Sequence, residues 1–371
     1  MSSFFTRDQI ADLAWGAAFL GAGGGGDPYI GSLLLRQAML SVDQIRMISV
    51  DEVPEDALVI PNGMMGAPTV LIEKLPNGNE AATSLRRLEG VLGKTAYAVM
   101  PAEIGGLNAL MPLALAAQLG LPVVDADGMG RAFPELQMST FHVHDQRVAP
   151  AAITDENGST VVIHADSDYE VERLARATVV AMGATCYLCC LPVSGAQLRI
   201  SAVRGTLSAA IGIGRAVREA RSRQVDPFAA LIGYLRASPY YSSSYVLFDG
   251  KIVDLDRQTS GGFARGAVRI AAQPPQQGNM EILFQNENLV ARHDGVVRAI
   301  VPDLITVVDR ETAAPITTES LRYGQRVKVI GCSAAAVMRS AKALSIFGPR
   351  AFGLTDPFTP IEELDQQWAS R

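Results

Sequence analysis

Three apolar runs in the first third of the chain each end in a turn rich in glycine and polar groups, and this limits the folds available. Ala57 to Ile60 empties into Pro61-Asn62-Gly63-Met64-Met65-Gly66. Thr95 to Met100 runs into Ala102-Glu103-Ile104-Gly105-Gly106. Leu121 to Val124 breaks into Asp125-Ala126-Asp127-Gly128-Met129-Gly130-Arg131. Helical patterns lie between them, Leu85 to Leu92 and Asn108 to Leu119, the second stopped by Gly120. Strand, loop and helix in alternation predict a parallel sheet covered by helices. Such sheets bind ligands beyond the carboxyl ends of their strands. The loops holding Asn62, Glu103 and Asp125/Asp127 are therefore expected to converge, together with the glycine loop Gly21 to Gly26.

Around this unit, Thr6 and Gln9 form a capping box that opens a helix over 7–20. Asp27 before Pro28 suits the start of a second helix reaching Leu40. Met47 to Val50, Phe141 to Val143 and Thr160 to His164 read as strands, the last two around an Asn157-Gly158 turn. Asp168 to Met182 reads as a helix and Cys186 to Val193 as a strand entering Ser194. Ala202 to Arg221 and Pro227 to Ala237 are helical. From Tyr240 to Ile330 the chain turns to short β-type runs, separated at Asp249-Gly250, Gly278-Asn279 and Asp294-Gly295. Cys332 to Leu344 returns as a helix. The expected fold class is α/β: a three-layer α/β domain with a mainly parallel sheet over 1–239, and a β-barrel-like domain or sandwich over 240–332. Segment 333–371 would pack back on the first domain.

A chain of 371 residues that is 48% hydrophobic can bury a sizeable core. The net charge of −6, without runs of Lys or Arg, argues against nucleic acid as a partner. No stretch has the apolar length of a membrane span. The patch Leu13 to Leu20 follows Asp8 and Asp12 rather than a basic leader, which reads as a helix and not a signal peptide. Cys186, Cys189 and Cys190 sit in an apolar run and Cys332 stands apart, as expected for buried reduced thiols in a cytoplasmic protein. A homo-oligomer stays open.

The chemistry is expected from carboxylates. Asp125, Asp127, Glu103 and Glu135 can act as acids or bases if one is desolvated enough to raise its pKa. The structural alternative is that Arg131 simply pairs with Asp125 or Asp127. The glycine loop follows a helix, so it is neither a dinucleotide fingerprint nor a phosphate-binding loop. Its backbone at Gly23, Gly24, Gly25 and Gly26 can still approach a ligand closely. Asp27, Asn62, Glu135 and Ser194 complete the predicted ligand-binding set. His142 and His144 would share one face of a strand, a weaker metal-site candidate with Asp127 or Asp145. There is no Gly-X-Ser-X-Gly nucleophile elbow.

Taken together, the motifs 21–28, Glu103-Ile104-Gly105-Gly106, 125–138 and Pro192-Val193-Ser194-Gly195 resemble the S-methyl thiohydantoin desulfurase-like family. So do Pro302-Asp303-Leu304-Ile305, Gly324-Gln325-Arg326-Val327 and 348–352. That family was long known as a domain of unknown function found beside hydantoinases and oxoprolinases. The resemblance implies an α/β domain joined to a β-barrel domain. It also implies cleavage of an exocyclic carbon–sulfur bond on a five-membered ring, a small heterocyclic substrate. Chemistry then suggests Asp125 or Asp127 as the base for water, Glu103 as proton donor and Arg131 to orient a substrate charge. The cofactor is left unknown. The alternatives are an ATP-dependent ring opening over the glycine loop, a divalent-metal cyclic-amide hydrolase, and a non-catalytic accessory subunit of a hydantoinase.

Overall fold

In the computed structural model, residues 3–66, 70, 74, 76–260 and 263–370 are described. The strands of the first half are β1 (Ser3–Thr6), β2 (Gln44–Ile48), β3 (Leu58–Gly66), β4 (Ala98–Pro101), β5 (Val123–Val124), β6 (Ala126–Asp127), β7 (Ala151–Thr154) and β8 (Thr160–Ile163). They are followed by β9 (Thr185–Cys189), β10 (Val193–Ser194) and β11 (Val203–Arg204). The main sheet runs β1-β2-β5-β4-β3-β9-β7-β8, with β10 beside the start of β3. Its middle is parallel, β2 with β5, β5 with β4 and β4 with β3. The outer pairings are antiparallel. The short pair β6–β11 stands apart.

Alternation along the parallel strands sends successive side chains to opposite faces, and each face has its own core. Leu58, Ile60, Val99 and Val123 face one side. There they pack with α1 (Ile10–Leu20), α2 (Pro28–Ala38), α3 (Glu80–Leu92) and α4 (Met111–Leu119). Val59, Ala98, Met100 and Val124 face the other. They pack with Phe141 of α5 (Thr140–Val143), Val171 and Ala175 of α6 (Asp168–Ala181), and Leu198 of α7 (Gly195–Ser201). The helices α8 (Thr206–Ser222) and α9 (Pro227–Ala237) return to the first face through Leu207, Ile213 and Leu231. The unit is a three-layer α/β sandwich.

The second sheet is antiparallel and curls into a half-barrel. Its strands are β12 (Ser244–Ser260), β13 (Phe263–Ala272), β14 (Asn279–Gln285), β15 (Glu287–His293), β16 (Val296–Ile300), β17 (Leu304–Asp309) and β18 (Arg326–Cys332). Their order is β16-β15-β14-β13-β12-β18-β17. Ile252, Ile270, Ile282, Val307 and Val329 fill its concave side. Leu289, Val290, Leu304 and Ile330 join the core of the first unit, so the two sheets share buried surface. After β18 come α10 (Ala341–Phe347), whose Phe347 ring lies 4.9 Å from that of Phe133, and α11 (Ile361–Ala369), whose Ile361 closes the half-barrel core.

The capping box at Thr6 and Gln9 is present, but several local expectations need correction. The strand predicted over 57–60 continues through Pro61 and Asn62 to Gly66, because β9 pairs with its second half. Phe141 to Val143 is a single helical turn, since Ser139 caps it by accepting the His142 amide hydrogen. The Asn157-Gly158 turn instead joins β7 to β8. Asp249-Gly250 is no turn, because β12 runs straight through it. Gly250 lies between Ala272 and Val327, and a Cβ there would meet the Ala271 carbonyl at 2.3 Å, so close strand approach explains the glycine. Cys332 ends a strand, and the helix beyond begins only after the cap at Ser340.

Candidate active site

The loops do converge. One cavity opens beyond the ends of β3 and β4, lined there by Gly63 to Gly66 and by Ala102 and Glu103. The glycine loop contributes Gly25 and Gly26, and the turn after β6 contributes Met129 and Phe133 to Leu136. Thr185, Leu188 and Arg176 close the side formed by β9 and α6, and the tip of the β14–β15 hairpin brings in Asn286 and Glu287. The cavity holds about 100 Å³.

Glu103 is 9% exposed. Its carboxyl accepts the Asn108 side-chain amide at 2.6 Å and the Phe133 backbone N–H at 3.1 Å. Asn108 is itself fixed by accepting the Met64 N–H at 2.7 Å, so the base of the cavity is braced by β3. Burial pushes the Glu103 carboxyl up to about 7, opposed by Asn108, Phe133 and the charge of Arg131. Glu287 is 2% exposed, and its Oε2 is buried without a hydrogen-bond partner among the described residues. Burial, reinforced by the neighbouring Glu103 charge, raises its pKa well above the carboxylate range. It was missed in the sequence because it is a lone glutamate between two strands, outside any motif.

The acidic turn behaves differently from expectation. Asp127 is fully buried and lines no part of the cavity. It accepts backbone N–H groups from Ile104, Met129 and Gly130 at 2.9, 3.1 and 2.9 Å. Burial drives its pKa up to about 7 against those bonds. Asp125 accepts the Ser208 N–H at 3.1 Å and so caps the first turn of α8, away from the cavity. Neither is among the residues that line the cavity, so the structure does not bring the expected base at Asp125 or Asp127 to it. Arg131 pairs with neither of them. It is fully buried and donates to the carbonyls of Ala132 at 3.0 Å, Pro302 at 2.7 Å and Asp303 at 3.1 Å, with its guanidinium 4.5 Å from the Phe133 ring centre. It clasps the α/β turn to the half-barrel.

Among the other predicted residues, Gly25, Gly26 and Glu135 line the cavity. Gly23 and Gly24 pack behind it. A Cβ on Gly24 would lie 2.0 Å from Glu287 Oε1, and one on Gly23 would lie 2.8 Å from the Asn288 amide. Asp27 caps α2 by accepting the Tyr29 N–H at 2.8 Å. Asn62 is buried in the sheet, donating to Ile60 and Met100 carbonyls and accepting the Tyr187 hydroxyl at 2.5 Å. Ser194 caps α7 beside Leu58, at the opposite end of β3 from the cavity, because β9 and β10 run antiparallel to β3. His142 lies in the helical turn and His144 is its C-cap, so their shared-strand-face premise is lost, and His142 Nδ1 meets Asp168 at 2.7 Å. Among the described residues no group of three or more His, Cys, Asp or Glu could hold a metal. The four cysteines are buried and free. Among the described residues no helix is long and apolar enough to cross a membrane.

Two family models cover nearly the whole chain, the N-terminal domain of S-Me-THD-like proteins over residues 8–165 and the C-terminal domain over 166–361. The chain belongs to the S-Me-THD-like family. Membership points to a thiohydantoin-related function. The structure is also similar to a crystal structure of a protein from Chromobacterium violaceum, at 26% identity and a TM-score of 0.80, covering 97% of this chain and 100% of that one. A search of the curated proteins finds no match. The S-Me-THD-like halves meet within the main sheet, since β9 follows residue 166 yet pairs with β3.

Proposed function

We propose that this S-Me-THD-like protein hydrolyses the exocyclic carbon–sulfur bond of an S-methyl thiohydantoin-type ring, with Glu103 as the general base. The observation that carries the reading is Glu103 itself, a buried carboxyl with its pKa poised near neutrality on the floor of a small cavity. The cavity has room for a five-membered ring. Its apolar walls, Leu107, Met129 and Phe133, suit a methylthio substituent.

In this reaction water attacks ring C2, forming a C–O bond, while its proton passes to Glu103. The electron pair of the C2–N double bond moves to nitrogen, which takes the proton from Glu103. Collapse of the tetrahedral adduct restores a C2 carbonyl and breaks C2–S. The electron pair leaves with sulfur, which takes the remaining proton. One water is consumed, and a hydantoin and a thiol are formed. The Phe133 and Asn108 donors favour the ionised form of Glu103 against its burial.

The test is thiol release from S-methyl thiohydantoin. The unsubstituted protein is expected to yield methanethiol and hydantoin in equal amounts. Glu103→Gln is expected to fold and to lose roughly 10²–10⁴-fold in turnover. No thiol from the unsubstituted protein, or full turnover by folded Glu103→Gln, refutes the reading.

A further inference from the structure

We infer that Glu287, at the tip of the β14–β15 hairpin, is a second catalytic residue that donates the proton to the departing sulfur. The inference rests on the desulfurase reading above and concerns the step that reading leaves without a donor, protonation of the leaving group.

Three observations carry it. The first is placement. Asn286 turns the chain with φ +58°, while its side chain accepts the Ala264 N–H at 2.8 Å, which anchors the tip. Glu287 follows at once and is delivered into the same cavity as Glu103, from the other sheet. The second is the unspent oxygen. Glu287 is 2% exposed, yet Oε2 has no partner among the described residues. A buried polar atom left without a partner costs about 1–3 kcal/mol, so a carboxyl held this way is arranged for something that enters the cavity.

The third is the contrast between the two carboxyls. Glu103 receives two N–H donors, which favour its ionised form. Among the described residues no donor reaches Oε2 of Glu287, and burial with the Glu103 charge nearby favours its neutral form, against the charge of Arg131 and its own backbone N–H. Two carboxyls whose surroundings push their proton affinities apart are the arrangement of a base and an acid. The step balances. As C2–S breaks, its electron pair goes to sulfur, and sulfur takes the Glu287 proton to leave as a thiol. Glu287 is left ionised and recovers its proton from the adduct hydroxyl as the C2 carbonyl forms.

The experiment compares two leaving groups, S-methyl and S-(4-nitrophenyl) thiohydantoin. A basic thiolate needs protonation to depart, whereas a weakly basic arylthiolate leaves without it. Glu287→Gln is expected to lose roughly 10²-fold or more in kcat/KM for the methyl compound and less than about tenfold for the aryl compound. Glu103→Gln is expected to lose both. Gly24→Ala pushes against Glu287 Oε1 without removing the carboxyl, and is expected to show the same methyl-selective loss. It serves as the second variant should Glu287→Gln not fold. Equal losses for both leaving groups, or no loss for either, overturn the donor role. Absence of thiol release from both compounds by the unsubstituted protein overturns the desulfurase reading and the donor with it.

Discussion

Asp127 accepts the backbone N–H of Ile104 at 2.9 Å, and so fixes the chain one residue beyond Glu103. The same carboxyl closes its own turn through Met129 and Gly130, which places Phe133 where its N–H reaches Glu103. Asp127 is thus a positioning residue for the cavity floor. Asp127→Asn keeps one acceptor oxygen but turns an NH₂ group toward backbone donors. It is expected to cost about 1–3 kcal/mol in chemical unfolding. It should also lower kcat for thiol release more than it changes KM. An Asn variant with unchanged stability and unchanged kcat contradicts this.

Stability should depend on pH through Glu103. Its folded-state pKa is raised from 4.5 to about 7, so between those values the folded chain binds more protons than the unfolded one. The contribution is complete below the unfolded value and is lost as pH rises through about 7. The shift corresponds to about 3 kcal/mol. Buried Asp127, raised from 3.8 to about 7, adds in the same direction. Urea midpoints are therefore expected to fall from about pH 5 to about pH 8, and Glu103→Gln to flatten part of that slope. A midpoint that rises over this interval contradicts the assignment.

Arg131 is expected to govern stability and not substrate charge. Arg131→Ala strips donors from four buried carbonyls and leaves a space beside Phe133. The loss should be about 3 kcal/mol or more. Lysine should not restore it, since one ammonium cannot reproduce the planar fork. In whatever fraction stays folded, KM for neutral and for carboxylate-bearing ring substrates should change in parallel. A selective loss for the carboxylate-bearing ones would return Arg131 to a substrate-orienting role.

The parallel middle of the main sheet was legible because strand, glycine turn and helix alternate there, and Glu103 was legible because its strand points it to the sheet edge. What charge in a turn does not reveal is which way the carboxyl faces. Asp127 is followed at once by Gly128, Met129 and Gly130, whose small, flexible backbone brings N–H groups back to the aspartate, as short polar side chains often do in turns. That local signal pointed to a structural role. Ser194 was misplaced because periodicity gives no strand direction, and β9 proved antiparallel. The two histidines were misread because Ser139 caps a helical turn that a β-type Phe-His-Val run conceals. Glu287 left no trace at all. Its meaning arises only when a hairpin from one sheet meets a loop from the other.

The place of β9 has a consequence for how the two matched halves can be separated. The strand lies between β3 and β7 in the main sheet, yet it is encoded beyond the junction at 165 and 166. A backbone nick at that junction leaves the first fragment with an open slot bordered by two unpaired edges. The strand that fills the slot belongs to the second fragment. The halves are not interchangeable cassettes. Nicked protein should persist as a tight noncovalent pair, and a chimaera joining halves of two relatives has to match the registers on both sides of a strand that one half lends to the other.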